Sequence, residues 1–144
     1  MEKKELTNFL MRVPLFQGLE KKHLKQLASR FVERSYVTGQ PIVVQAHGGE
    51  GLFTIISGRA DVVRELPNGQ SIKLTSFGST DFFGEIALLH SGPRTASVIA
   101  TEPTECLVLT SSDFLAAMKA DSDMGIVISQ ELARRMRHVL ESLL

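Results

Sequence analysis

The chain has 144 residues, enough for one domain with a core of its own. Lys and Arg total 16 and Asp and Glu total 16, so the formal net charge is zero, which argues against a dedicated nucleic-acid binder. Cys106 is the single cysteine, which excludes an internal disulfide, and neither the charged start MEKKELTNFL nor any later apolar run makes a membrane segment, so a cytoplasmic protein is expected.

Glu2 to Met11 carries Leu6, Phe9 and Leu10 on one side and predicts a short amphipathic helix, ended by Pro14. A second helix is predicted from about Leu19 to Phe31, where Leu24, Leu27, Ala28 and Phe31 keep the spacing of a buried stripe. Its other face holds Lys21, Lys22, Lys25 and Arg30 and reads as solvated.

From Val32 the apolar period changes to two. Strands are predicted over Val32 to Val37, Ile42 to Gln45, Leu52 to Ile56, Ala60 to Leu66 and Ser71 to Phe77, then Ala96 to Thr101 and Glu105 to Thr110. Turn residues separate them: Thr38-Gly39, Gly48-Gly49-Glu50-Gly51, Ser57-Gly58, Pro67-Asn68-Gly69 and Glu102-Pro103. Asn68-Gly69 is the strongest hairpin signal and reads as a type I′ turn. Short strands at this spacing point to a small sandwich or a jelly-roll barrel.

Asp81 to Ala100, DFFGEIALLHSGPRTASVIA, breaks the alternation. It reads as a strand, a tight turn at Gly84, a turn or two of helix from Ile86 to Leu89, a loop, and a strand entered through Arg94, Thr95 and Ala96. The free backbone N–H groups of a helix start receive anions, Gly84 allows close approach, and Arg94 supplies a fork suited to phosphate. Glu85 beside a phosphate would be repelled unless it accepts a hydrogen bond from another group of the same ligand, such as a sugar hydroxyl. The chemistry therefore asks for a phosphate and a hydroxyl in one rigid ligand.

After Thr110, Ser111 or Ser112 can cap a helix through Phe114, Leu115 and Met118; Asp121 to Asp123 make a break, and a last helix runs from about Met124. On it Leu132, Met136, Val139 and Leu143 form a heptad-like stripe opposite Glu131, Arg134, Arg135 and His138. The expected organisation is one domain over 1–144, with helices at about 2–31, strands at about 32–110 and helices at about 112–144. Its class is α+β, an antiparallel jelly-roll β-barrel flanked by N-terminal and C-terminal helices.

Phe83-Gly84-Glu85-Ile86-Ala87-Leu88, followed by Pro93-Arg94-Thr95-Ala96-Ser97-Val98, resembles the phosphate-binding cassette of cyclic-nucleotide-binding domains. That family includes catabolite activators, regulatory subunits of cyclic-AMP-dependent kinase and cyclic-nucleotide-gated channels. The resemblance extends to Val13-Pro14-Leu15-Phe16 and to the turns at Gly39 and Gly58. It implies that Glu85 takes the ribose 2′-hydroxyl beside the Gly84 backbone, that Arg94 pairs with the cyclic phosphate, and that N–H groups at Ile86, Ala87, Thr95 and Ala96 complete the cradle. It implies that Val63, Leu74 and Phe77 wall the base and that Arg135 caps it, as a basic residue does in the channels. Thr95 leaves cyclic AMP and cyclic GMP both open, with cyclic AMP favoured. Two positions depart from the family pattern: Thr80 stands where a glycine usually precedes the FGE turn, and Gly51 where an acidic residue often follows the earlier glycine.

The reading is a sensor without catalysis or cofactor, signalling through its C-terminal helix to a second copy or a protein effector. Catabolite activators continue into a helix-turn-helix, whereas this sequence stops at Leu144, so no DNA-binding domain is expected in it. The alternatives are a scaffold of the same fold that has lost its ligand, or the regulatory part of a larger channel, kinase or transcription regulator. An enzyme using Glu85, His90 and Asp81 is the remaining class; no nucleophile motif, metal-spaced cluster or P-loop supports it.

Overall fold

The computed structural model describes residues 1–48, 50–90 and 92–144; Gly49, one of the expected turn residues, and Ser91 lie outside them. The chain forms two compact units, Phe31–Ser111 and a helical unit of Met1–Arg30 with Ser112–Leu144.

The β unit contains β1 (Val32–Tyr36), β2 (Pro41–Val43), β3 (Gly51–Ser57), β4 (Ala60–Glu65), β5 (Ser71–Phe77), β6 (Phe82–Phe83), β7 (Ser97–Ala100) and β8 (Thr104–Thr110), with the one-turn helix α3 (Ile86–Leu89) after β6. These strands make two antiparallel four-stranded sheets, ordered β1-β8-β3-β6 and β2-β7-β4-β5. The expected barrel is therefore an open two-sheet jelly roll. Phe53, Ile55, Phe83 and Cys106 from the first sheet meet Val43, Val98 and Ala100 from the second in one core. Five of the seven residues of β3 are buried in succession, which is why its sequence reads as a continuous run rather than an alternation. Burial pushes the Cys106 thiol up to about 12, so it stays protonated in the core.

Three turns differ from their sequence reading, each for a local reason. At the β4–β5 hairpin, Gly69 N–H donates to Leu66 O (2.9 Å) and only Gly69 has positive φ, at 86°. Pro67 fixes the first central residue of that turn at negative φ, so a type I turn followed by a left-handed glycine replaces the expected type I′. Thr80 takes the left-handed conformation itself (φ 72°), keeping the loop that a glycine would have made, at a steric cost. Gly51 has φ 143°, and a Cβ there would run into Leu109 O, so the close approach of β3 to β8 excludes an acidic side chain.

The helical unit holds α1 (Lys3–Leu10), a 3-10 turn at Pro14–Phe16, α2 (Lys21–Ala28), the greater part of α4 (Ser111–Ala120), and α5 (Ser122–Leu143). Phe9, Leu10, Leu15, Phe16, Leu24 and Leu27 are all buried, as the helical spacing requires. The polar break is a cap: one Asp121 oxygen accepts from Met124 N–H (3.4 Å) at the start of α5, and the other lies 3.2 Å from His23 Nε2. Among the described residues no helix is long and apolar enough to cross a membrane.

Candidate functional site

Strand β6 is only two residues long, yet it fixes the cassette. Phe83 is paired with Phe53 across the β3–β6 ladder, and their rings stack at 5.2 Å between centroids. Phe77 stacks on the other side of Phe83 at 5.4 Å. The chain leaves this aromatic pile through Gly84 at φ 85°, where a Cβ would fall on Gly51 O and 2.6 Å from Arg94 Nη1. Only glycine fits that approach.

Glu85 then starts α3, whose turn is closed by Ala87 N–H to Gly84 O (3.1 Å) and Leu88 N–H to Glu85 O (3.2 Å). The far end of α3 is tied down by Ser111, whose hydroxyl donates to Ala87 O at 2.7 Å.

Arg94 is held by its backbone from outside the cassette. Arg94 N–H donates to His47 O (2.9 Å) and Ala46 N–H donates to Arg94 O (2.8 Å), with Gly48 and Pro93 bridged alongside. Its side chain turns inward. Nη2 donates to Gly51 O at 2.9 Å, the guanidinium carbon lies 5.9 Å from the centre of the Phe53 ring, and buried Nε has no partner. Burial pushes the guanidinium below its ordinary pKa, partly offset by the fields of Glu85 and Glu50, and an arginine this far above neutrality stays charged. Among the described residues no carboxylate lies within 4.0 Å of it. Glu85 therefore feels Arg94 electrostatically without closing an ion pair on it.

The structure thus brings Phe83, Gly84, Glu85 and Arg94 together, with Ile86 exposed, Thr95 exposed and Ala96 half-buried at the same loops. The outlying residues differ. Phe77 joins the aromatic pile, Val63 is half-buried, and Leu74 is 55% exposed. Val62, two residues after buried Ala60 and on the same strand face, packs on the core, and the β4–β5 ladder shifts register between it and Val63. Arg135 lies on α5, in the helical unit. Asp81 is a turn residue, since its carboxylate accepts from Gly78 N–H at 2.8 Å. Sequence reasoning missed Phe53 and the Gly51 carbonyl, which position Arg94; both lie on a distant strand, and only the β3–β6 pairing reveals them. A cavity of about 480 Å³ between β1, β2 and β3 shares Phe53 with the Arg94 site, but no described residue from 83 to 96 lines it.

The sequence model described as "Cyclic nucleotide-binding domain" matches residues 33–121. The "Cyclic AMP receptor protein" of Thermus thermophilus is 36% identical over 124 residues, which are 86% of this chain and 57% of that protein. Among solved structures, the N-terminal domain of a transcriptional regulator from Streptomyces coelicolor superposes with TM-score 0.86 at 25% identity, covering 94% of this chain and 95% of that one. The Catabolite Activator Protein of Thermus thermophilus gives TM-score 0.79 at 35% identity, covering 90% and 61% respectively. The chain thus spans about 57% of the receptor protein and 61% of the activator. A match over most of the β unit, a shared jelly roll and an intact FGE turn facing an inward arginine have one explanation: the chain belongs to the cyclic nucleotide-binding domain family.

Proposed function

We propose that this protein is a regulatory module that binds a 3′,5′-cyclic nucleotide and performs no chemistry on it. One observation carries the reading: the Arg94 guanidinium is charged, half-buried and without a carboxylate partner, and its buried Nε–H is unpaired. An unpaired buried donor costs about 1–3 kcal/mol, more when charged, and an anion that met it would recover this. The cyclic phosphate is that anion. Glu85, within electrostatic reach of Arg94 but without an ion pair to it, takes the ribose 2′-hydroxyl, and N–H groups at Ile86, Ala87, Thr95 and Ala96 are assigned to the phosphate as the family resemblance implies. Val63 and the exposed Leu74 serve the base, with Arg135 as its cap.

Cyclic AMP is the favoured ligand, since the relative at 36% identity carries that nucleotide in its name; Thr95 keeps cyclic GMP as the competitor. The output passes through α5, where Met136, Val139 and Leu143 are 65%, 57% and 77% exposed beside half-buried Leu132, a stripe suited to a second copy or a protein effector. A ligand shifts this output only by its differential affinity for two states.

Calorimetric titration of cyclic AMP and cyclic GMP into the full chain, with Arg94→Ala beside it, tests the reading. Binding at micromolar or tighter, reduced at least roughly tenfold by the substitution, is expected, because a hydrogen bond to a charged group contributes about 1.5–3 kcal/mol. Absence of binding to either nucleotide contradicts it and leaves the ligand-free scaffold.

A further inference from the structure

Four lysines of the first two helices run against the local rule for helix charges, whereas Lys25, in the last turn of α2, follows it. Lys3 and Lys4 open α1 and Lys21 and Lys22 open α2, where the macrodipole favours anions. Neither helix has a side-chain hydrogen bond at its N-cap, although Glu2 and Glu20 occupy those positions. The two helices pack together, and Lys3, Lys4, Thr7, Asn8, Lys21 and Lys25 surround one cleft of about 440 Å³. Lys22 is neutralised by Glu20 at 3.5 Å, but among the described residues none of the four lysines lining the cleft forms an ion pair. Glu2, Glu5 and Glu20 belong to the same segments and do not line it. Thr7 is buried with its hydroxyl committed to Lys3 O at 2.9 Å, so the lysines are the free polar groups of the wall together with Asn8.

In a chain of zero net charge, four unpaired cations around one small concavity are a local excess rather than the consequence of a basic composition. The volume lies in the range of small-molecule sites and the shape is a cleft, not a flat face. We infer that this cleft is a second anion site, separate from the cassette, for a compact multivalent phosphate of the triphosphate class. Lysine ammoniums on flexible stems suit such a ligand, because they act as point charges and adapt to a chain of phosphates without bidentate geometry.

The test is calorimetry on the full chain with inorganic tripolyphosphate and with ATP as probes, at roughly 0.15 M salt so that loose surface attraction is screened. The expected result is binding below about 1 mM that weakens at least roughly tenfold in Lys21→Gln/Lys25→Gln, which keeps the stems and removes two charges. Lys22→Gln and Arg94→Ala leave it within about twofold, since one cation is already paired and the other lies in the β unit. Equal affinity for both probes identifies the phosphate chain as what is read; tighter, lysine-dependent ATP binding identifies a nucleoside triphosphate as the source. The inference is overturned if neither probe binds, if the lysine variant binds like the parent, if Arg94→Ala removes the binding, or if an acidic peptide or RNA binds the lysines more tightly than either probe. Cyclic-nucleotide titration of Lys21→Gln/Lys25→Gln, unchanged from the parent, shows that the cassette stands whatever happens here.

Discussion

The β1 face around Arg34 and the cassette around Arg94 treat the same side chain in opposite ways. Arg34 is partly exposed and pairs directly with Glu50, which raises its pKa. Arg94, in the same unit, is drawn inward onto a backbone carbonyl and an aromatic ring, and burial lowers its pKa. The first arrangement is self-sufficient, and the second is not. An arginine left with a buried unpaired N–H and no acid is a poor stabilising device and a good anion receptor. The difference teaches where to look for a ligand: at the cation the fold has not satisfied.

Substitutions at the two places break this comparison in graded ways. Gly84→Val has the largest expected effect, because its Cβ meets Gly51 O and the Arg94 fork while the backbone is left-handed. A loss of about 2–4 kcal/mol in denaturant unfolding, together with loss of cyclic-nucleotide binding, is expected. Arg94→Ala follows. It lowers nucleotide affinity by roughly tenfold or more, while stability changes by less than about 1 kcal/mol, since the substitution also removes an unsatisfied donor. A large stability loss with intact binding would invert the comparison. Thr80→Val sharpens the account of the approach loop: a β-branched side chain that lacks the hydroxyl at φ 72° costs up to about 1–2 kcal/mol, and Thr80→Gly moves the melting temperature upward. The smallest effect belongs to Arg34→Ala, where an exposed ion pair contributes at most about 1 kcal/mol and nucleotide affinity stays within about twofold.

Much of this contrast was legible before the structure. The FGE turn, Arg94 and the β-branched entry after it are contiguous, so residue chemistry alone asked for a phosphate and a hydroxyl in one ligand. The strands were legible where apolar and polar residues alternate in sequence, as at Ile72, Lys73 and Leu74 in β5, whose ends match Ser71 and Phe77 although both apolar residues are exposed. What stayed hidden depends on distant pairing or on one competing residue. Phe53 reads as an ordinary core position until β3 meets β6. Pro67 overrides the Asn68-Gly69 signal, and Thr80 holds a conformation its side chain disfavours. The lysines of α2 read as a solvated face, because their convergence with Lys3 and Lys4 of α1 on one cleft is a property of packing.

The central claim is that Arg94 and Glu85 hold the phosphate and the 2′-hydroxyl of one sugar, and a cycle on ligand and protein tests it most directly. Cyclic AMP and 2′-deoxy cyclic AMP are titrated into the parent chain and into Glu85→Ala. The account predicts that the parent binds the deoxy ligand roughly tenfold more weakly or worse, as loss of a hydrogen bond to a charged group requires, and that Glu85→Ala binds the two ligands alike. Equal binding of both ligands by the parent, or a preference for the 2′-hydroxyl that survives in Glu85→Ala, would contradict it.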